Sequence, residues 1–118
     1  MNPPGNDSVG NLFAAPAAPA SGEIFEELLH CRNVRVERIV SSERPDPTIY
    51  AQDQDEWVCL LQGEAELGLN QERVILRAGD HLFIPAHTPH RVLRTSGNPP
   101  CIWLAVHIHP NGRLRESA

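Results

Sequence analysis

From Asn33 onward the apolar positions recur with a period of two, the spacing of a strand with one buried face. Val34, Val36 and Val40 alternate with Arg35, Glu37 and Ser41. Arg44–Pro47 reads as a turn and Thr48–Ala51 as a second strand. Glu56–Gln62 is apolar on both faces, which predicts a central strand. Gly63 permits a kink into Glu64–Leu69, where Ala65, Leu67 and Leu69 alternate with polar residues or glycine. Asn70–Gln71 turns the chain into Glu72–Arg77, and Ala78-Gly79-Asp80 turns it again. His81–Ile84, Thr88–Arg94 and Ile102–His109 complete the series. About eight short strands separated by turns predict an all-β sandwich or barrel.

One stretch has a different period. Ile24, Phe25, Leu28 and Leu29 fall on one face of a helix that Ser21 can cap, so a short N-terminal helix is expected there. Residues 1–22 carry one charged side chain, Asp7, among Ala, Pro, Gly, Asn and Ser. Such a segment buries too little to offset roughly 1–2 kcal/mol of backbone entropy per residue, and it is expected to be disordered apart from a local anchor at Leu12–Phe13. Residues 113–118 are expected to form a flexible tail, which leaves 23–112 as one barrel domain.

Composition narrows the function. The chain has 118 residues and a net charge of −5, and all ten basic residues are Arg. With no Lys, Schiff-base chemistry and a P-loop lysine are excluded. An acidic chain is also a poor match for nucleic acid, whose phosphates require a surplus of positive charge. Cys31, Cys59 and Cys101 are odd in number and form no Cys-x-x-Cys pair, a pattern suited to a reducing compartment. No apolar run approaches the roughly 20 residues that span a bilayer. The N-terminal stretch lacks positive charge and is broken by Pro3, Pro4, Pro16 and Pro19, unlike a signal peptide. The expectation is a cytoplasmic protein that engages neither nucleic acid nor membrane.

Two stretches share fixed spacings. Glu56 is followed after six residues by Gly63, and Tyr50 and Gln52 precede it at offsets of six and four. Gly79 is followed after five residues by Pro85, and His90 lies five positions further on. This pattern resembles the two motifs of the cupin superfamily: His-x-His, three or four residues, Glu, six residues, Gly, and then Gly, five residues, Pro-x-Gly-x-x-His. The resemblance runs from about Val34 to Pro110 and implies a small single-domain jelly roll. Two departures are visible. Tyr50 and Gln52 stand at the first motif's histidine positions, and His87 stands at the second motif's middle glycine.

In cupins those histidines, the Glu and the second-motif histidine hold a divalent metal. The resemblance therefore implies Glu56 and His90 as metal ligands, with iron, zinc, nickel or manganese as the metal. A buried Glu56 needs a metal, a cationic His90 or an inward Arg as partner. His107 and His109, two apart on the last strand, project from one face. If that face is the inner one, Glu56, His90 and His107 form a two-histidine, one-carboxylate set. The other face, with Ile102, Leu104, Val106 and Ile108, looks more like core, and on that reading the two histidines face outward, toward a subunit contact. Tyr50 and Gln52 are poor substitutes for imidazole and better suited to orienting a small polar ligand or cofactor. His81 and His87 read as rim residues.

Without a metal, no cofactor is implied, and Glu56 with His90 would serve as a general acid/base pair. Two functions follow: an enzyme of dioxygenase or isomerase type, or a non-catalytic, metal-free cupin that binds a small molecule. Trp57 and Trp103 are expected to face out of the barrel with Cys59 and Leu61, giving an apolar surface that the helix or a homodimer would cover.

Overall fold

The computed structural model describes residues 9–110. Eight strands follow one another: β1 (Glu23–Cys31), β2 (Val34–Ser41), β3 (Asp55–Gln62), β4 (Glu64–Leu69), β5 (Glu72–Arg77), β6 (His81–Ile84), β7 (His90–Thr95) and β8 (Cys101–Ile108). They form two antiparallel sheets, one ordered β1-β2-β8-β3-β6 and the other β5-β4-β7. Val58, Leu60, Ala65, Leu67, Leu76, Ile84, Cys101 and Trp103 pack between the sheets as the core. Among the described residues no helix is long and apolar enough to cross a membrane.

The expected N-terminal helix is absent, and Glu23–Cys31 is instead the edge strand β1. A β-bulge between Glu27 and Leu29 explains the misreading. Before it, Ile24 pairs with Val40 and Phe25 with Ile39; after it, Leu29 pairs with Val36. The extra residue breaks the period of two, so the apolar positions mimic a helical stripe. Pairing also gives β2 a second neighbour, which satisfies backbone groups that a helix would leave exposed.

The Thr48–Ala51 strand is likewise reduced to a single bridge, Tyr50 to His90. Asp46-Pro47 precedes it, and proline has no N–H for a ladder. Within the arm, residues 1–8 lie outside the described residues, as does the tail at 113–118. Residues 9–22 are irregular chain whose Asn11 and Leu12 carbonyls accept hydrogen bonds from Arg38 Nη1 at 3.0 and 3.2 Å.

Two backbone positions belong to the motifs. Gly63 has φ +94°, and a Cβ there would sit 2.8 Å from both Cys101 Sγ and Ser96 Oγ. His87 has φ 67°, the left-handed region natural to the glycine it replaces.

Candidate functional site

The strand register decides which side chains face inward. β8 turns Trp103 and His107 toward the space between the sheets, so Ile102, Leu104 and Val106 face the other way. Trp103 is therefore an inward core residue, contrary to its expected outward position. Trp57 does lie opposite in parity to Glu56, and its ring meets His81 at 5.5 Å on the outer face. On β2 the inward residues are Glu37 and Ile39, while Val34, Val36 and Val40 occupy the outer face.

A cavity opens at one end of the sandwich. It encloses about 100 Å³, or about 620 Å³ with the open mouth included. Its deeper walls are Ile39, Val58, Leu67, Ile84, Val92 and Trp103; its polar groups come from Glu23, Glu37, Tyr50, Gln52, Glu56, His90 and His107, with Arg91 also lining it. Apolar walls with a few converging polar groups are the usual form of a small-molecule site.

The two motifs meet here through backbone hydrogen bonds. Tyr50 and His90 exchange N–H···O bonds of 2.8 and 2.9 Å. His87 N–H donates to the Gln52 carbonyl at 2.6 Å, and Ala86 N–H donates to Asp55 Oδ1 at 2.8 Å. Tyr50 stacks on the His90 ring, with centroids 5.8 Å apart. Burial first, then the nearby Glu23, Asp46, Glu56 and Glu37 carboxylates, pushes the Tyr50 hydroxyl above its ordinary value.

His90 Nδ1 lies 2.9 Å from the Thr88 carbonyl oxygen. A carbonyl only accepts, so Nδ1 carries the proton, which leaves Nε2 as the basic nitrogen of the neutral ring. That nitrogen is 3.7 Å from Glu56 Oε1. Both side chains are largely buried. The pair is thus close enough to interact electrostatically, and both residues line the cavity.

His107 is inward but differently engaged. It is the cross-strand partner of Glu56 in the β3–β8 ladder. Its Nε2 donates to Glu37 Oε1 at 2.9 Å, and its Nδ1 lies 3.3 Å from the buried Gln54 amide nitrogen, which can only donate. Arg35 Nη1 donates to the other Glu37 oxygen at 2.9 Å. Hydrogen bonding from His107, aided by the charge and hydrogen bond of Arg35, holds the Glu37 carboxyl below its usual value despite burial. Both ring nitrogens of His107 are therefore spent.

His109 follows the end of β8 and is not among the cavity-lining residues. Burial and the neighbouring Arg35 lower its pKa. His81 and His87 are exposed and lie outside the cavity lining. Burial raises the Cys59 thiol, which suits a packing residue better than a nucleophile.

The metal set implied by Glu56, His90 and His107 does not fit this arrangement. Glu56 and His90 remain as two donors, while His107 has no free lone pair. Among the described residues no group of three or more His, Cys, Asp or Glu side chains is arranged to hold a metal ion. Tyr50 and Gln52, at the positions of the missing histidines, add only weak ligands.

Sequence reasoning missed Glu23, Glu37 and Gln54. Glu37 alternates with valines that looked like the buried face, and Glu23 lay in the supposed helix. Glu37 has the same parity as Ile39 and Ser41, which was the available signal.

The fold and motifs agree with known proteins. The profile of the cupin domain matches residues 39–107, and the chain belongs to that family. A Ralstonia eutropha protein provisionally named a mannose-6-phosphate isomerase is 40% identical; the match covers 86% of this chain and 97% of that one, with a TM-score of 0.78. A cupin superfamily protein of Desulfitobacterium hafniense is 19% identical over 80% of this chain and 84% of its own, with a TM-score of 0.70. The Fe(II) form of HppE is 17% identical over 74% of this chain and 50% of its own, with a TM-score of 0.65. The last two likenesses concern the fold. No curated protein matches the chain.

Proposed function

We propose that the protein binds a small polar molecule at the barrel mouth and shifts a proton on it, with His90 and Glu56 as the acid/base pair and no metal. The observation that carries this reading is the basic Nε2 of His90, with Nδ1 fixed on the Thr88 carbonyl and Glu56 Oε1 3.7 Å away. In the forward step Nε2 takes a proton from a carbon or hydroxyl of the ligand, and the Glu56 carboxylate stabilises the imidazolium that forms. Returning that proton to a neighbouring atom completes an isomerisation with no net gain or loss. Tyr50 and Gln52 orient the ligand from the first-motif loop. The provisional isomerase name of the 40%-identical relative supports this reaction class.

Incubation of the protein with a panel of small hydroxy-carbonyl compounds in deuterated water tests the proposal. The expected result is deuterium at the carbon beside a carbonyl with the native protein, and none above background with Glu56→Gln or His90→Gln. Equal exchange by native and variant proteins contradicts the assignment of these two residues. The 3.7 Å gap, too long for a hydrogen bond, favours one second reading, a non-catalytic ligand-binding cupin. Ligand binding without exchange would assign that role.

A further inference from the structure

Three carboxyl groups line the cavity, and each has a different set of partners. Glu37 is clamped between Arg35 and His107, and Glu56 faces His90. Glu23, at the start of β1, takes part in no ion pair among the described residues. Its Oε2 accepts a hydrogen bond from Ser41 Oγ at 2.8 Å. The buried Trp103 Nε1–H in turn donates to that same hydroxyl oxygen at 2.9 Å. The indole can only donate, so it fills a lone pair of Ser41 and leaves the hydroxyl proton to point at Glu23. One oxygen of Glu23 is thereby held, and the other has no hydrogen-bond partner among the described residues.

An ionised Glu23 here would be partly desolvated, without a cation, and close to other carboxylates. Glu37 and Ser41 on β2, Asp46 and Tyr50 on the following loop, and Glu56 on β3 surround it from the elements packed nearby. His90 on β7 and His107 on β8, also in the cavity lining, are already turned to Glu56 and Glu37. Taking up a proton relieves such a group, and a protonated carboxyl is a donor. Burial, followed by the charges of Asp46, Glu56 and Glu37, indeed raises its pKa above the ordinary carboxylate value, against the opposing pull of Ser41.

We propose that Glu23 is a third working carboxyl of the cavity, donating a hydrogen bond to a carbonyl or hydroxyl oxygen of an uncharged polyhydroxy ligand. The inference rests on the cavity being the working site, as proposed above. It also defines what is turned away. A phosphate ester would bring two negative charges among three carboxyl groups. The inner cation, Arg35, is already paired with Glu37, and Arg91 is exposed.

Dihydroxyacetone and its phosphate differ by that one group and serve as probes for the full-length chain. The readout is the imidazole and side-chain amide NMR signals of His90 and Gln52 during titration. The neutral compound is expected to give saturable shifts at roughly 1–100 mM, the range for a ligand of six heavy atoms. The phosphate is expected to bind at least about tenfold more weakly. Glu23→Gln, whose amide keeps a donor and still accepts from Ser41, should retain binding of the neutral probe within about threefold. Glu23→Ala should weaken it about tenfold or more.

Tighter binding of the phosphate, loss of binding in Glu23→Gln, or unchanged binding in Glu23→Ala would each overturn the inference, as would no saturable shift with the neutral probe. His90→Ala separates this claim from the broader one. If it abolishes binding while Glu23→Ala does not, the cavity reading stands and the role of Glu23 falls. If both variants bind like the native protein, both readings fall.

Discussion

His107→Ala is the most informative single substitution, because an integral part of the barrel wall and a third metal ligand respond to it in opposite ways. The imidazole is 5% exposed and makes two hydrogen bonds, to Glu37 Oε1 at 2.9 Å and from Gln54 at 3.3 Å. Its removal forfeits a charge-assisted hydrogen bond, worth about 1.5–3 kcal/mol. It also strands the buried Gln54 amide, at about 1–3 kcal/mol, and leaves a void. Arg35 still neutralises Glu37 through the other oxygen, which limits the loss.

The expected destabilisation is therefore about 3–4 kcal/mol, out of a total stability of roughly 5–15 kcal/mol for such a domain. It corresponds to a fall in Tm on the order of 10–15 °C. Glu37→Gln keeps an acceptor for His107 and should cost only about 1–2 kcal/mol. Urea unfolding at neutral pH, followed by tryptophan fluorescence from Trp57 and Trp103, measures both variants. A His107→Ala protein that unfolds at the native urea midpoint would refute the reasoning, especially if it also lost a bound metal that the native protein carried.

The remaining predictions concern pH, backbone and assembly. The Glu37 carboxyl is held below its ordinary value, so its stabilisation is fully present above pH 4.5 and is lost as pH falls through the lowered folded-state value. Glu23 is raised and acts in the opposite sense: the folded state holds the proton more tightly, so stability falls as pH rises from 4.5 through the folded-state value. Glu23→Gln, which mimics the protonated carboxyl, should leave stability at pH 4 unchanged and raise it progressively at higher pH, as read by urea unfolding at both ends of the range. His87→Gly should stabilise the fold by about 1 kcal/mol, because it relieves a side chain held at φ 67°; a loss of stability in thermal unfolding would contradict this. Gly63→Ala should cost more than about 2 kcal/mol, since its Cβ would meet Cys101 and Ser96 at 2.8 Å, and a native-like Tm would contradict that contact. The outer face of the larger sheet exposes Leu29 and Phe83, each at 51%, beside Trp57, and we propose a homodimer across it. Sedimentation should show a dimer that Phe83→Glu dissociates, and a native monomer at all concentrations would refute it.

Much of the barrel was legible because its strands obey the period of two and end at turn residues. β4, β5 and β6 run between the residues expected from the alternation and from Gly63, Asn70 and Gly79. β1 was not legible, because its bulge breaks the alternation while Ile24/Leu28 and Phe25/Leu29 stand at the four-residue spacing of a helix face. The site was half legible. Motif spacing located Glu56 and His90, which face each other, and brought Tyr50 and Gln52 to the same mouth. Parity placed His107 inward if Trp103 was inward, yet no local pattern shows that Glu37 and Gln54 occupy both of its nitrogens. Those partners come from β2 and from the chain just ahead of β3, brought together only by the sheet order. The alternation on β2 misled for a related reason: its valines cover the outer face, while its glutamate faces a polar cavity.

The central claim is a two-residue acid/base site that works without a metal, and elemental analysis of tag-free protein purified without chelator tests it most directly. The account predicts iron, zinc, nickel and manganese each well below one equivalent in cooperatively folded native protein, with no difference in Glu56→Ala or His90→Ala. One equivalent of any of these metals in the native protein, lost in both variants, would contradict it.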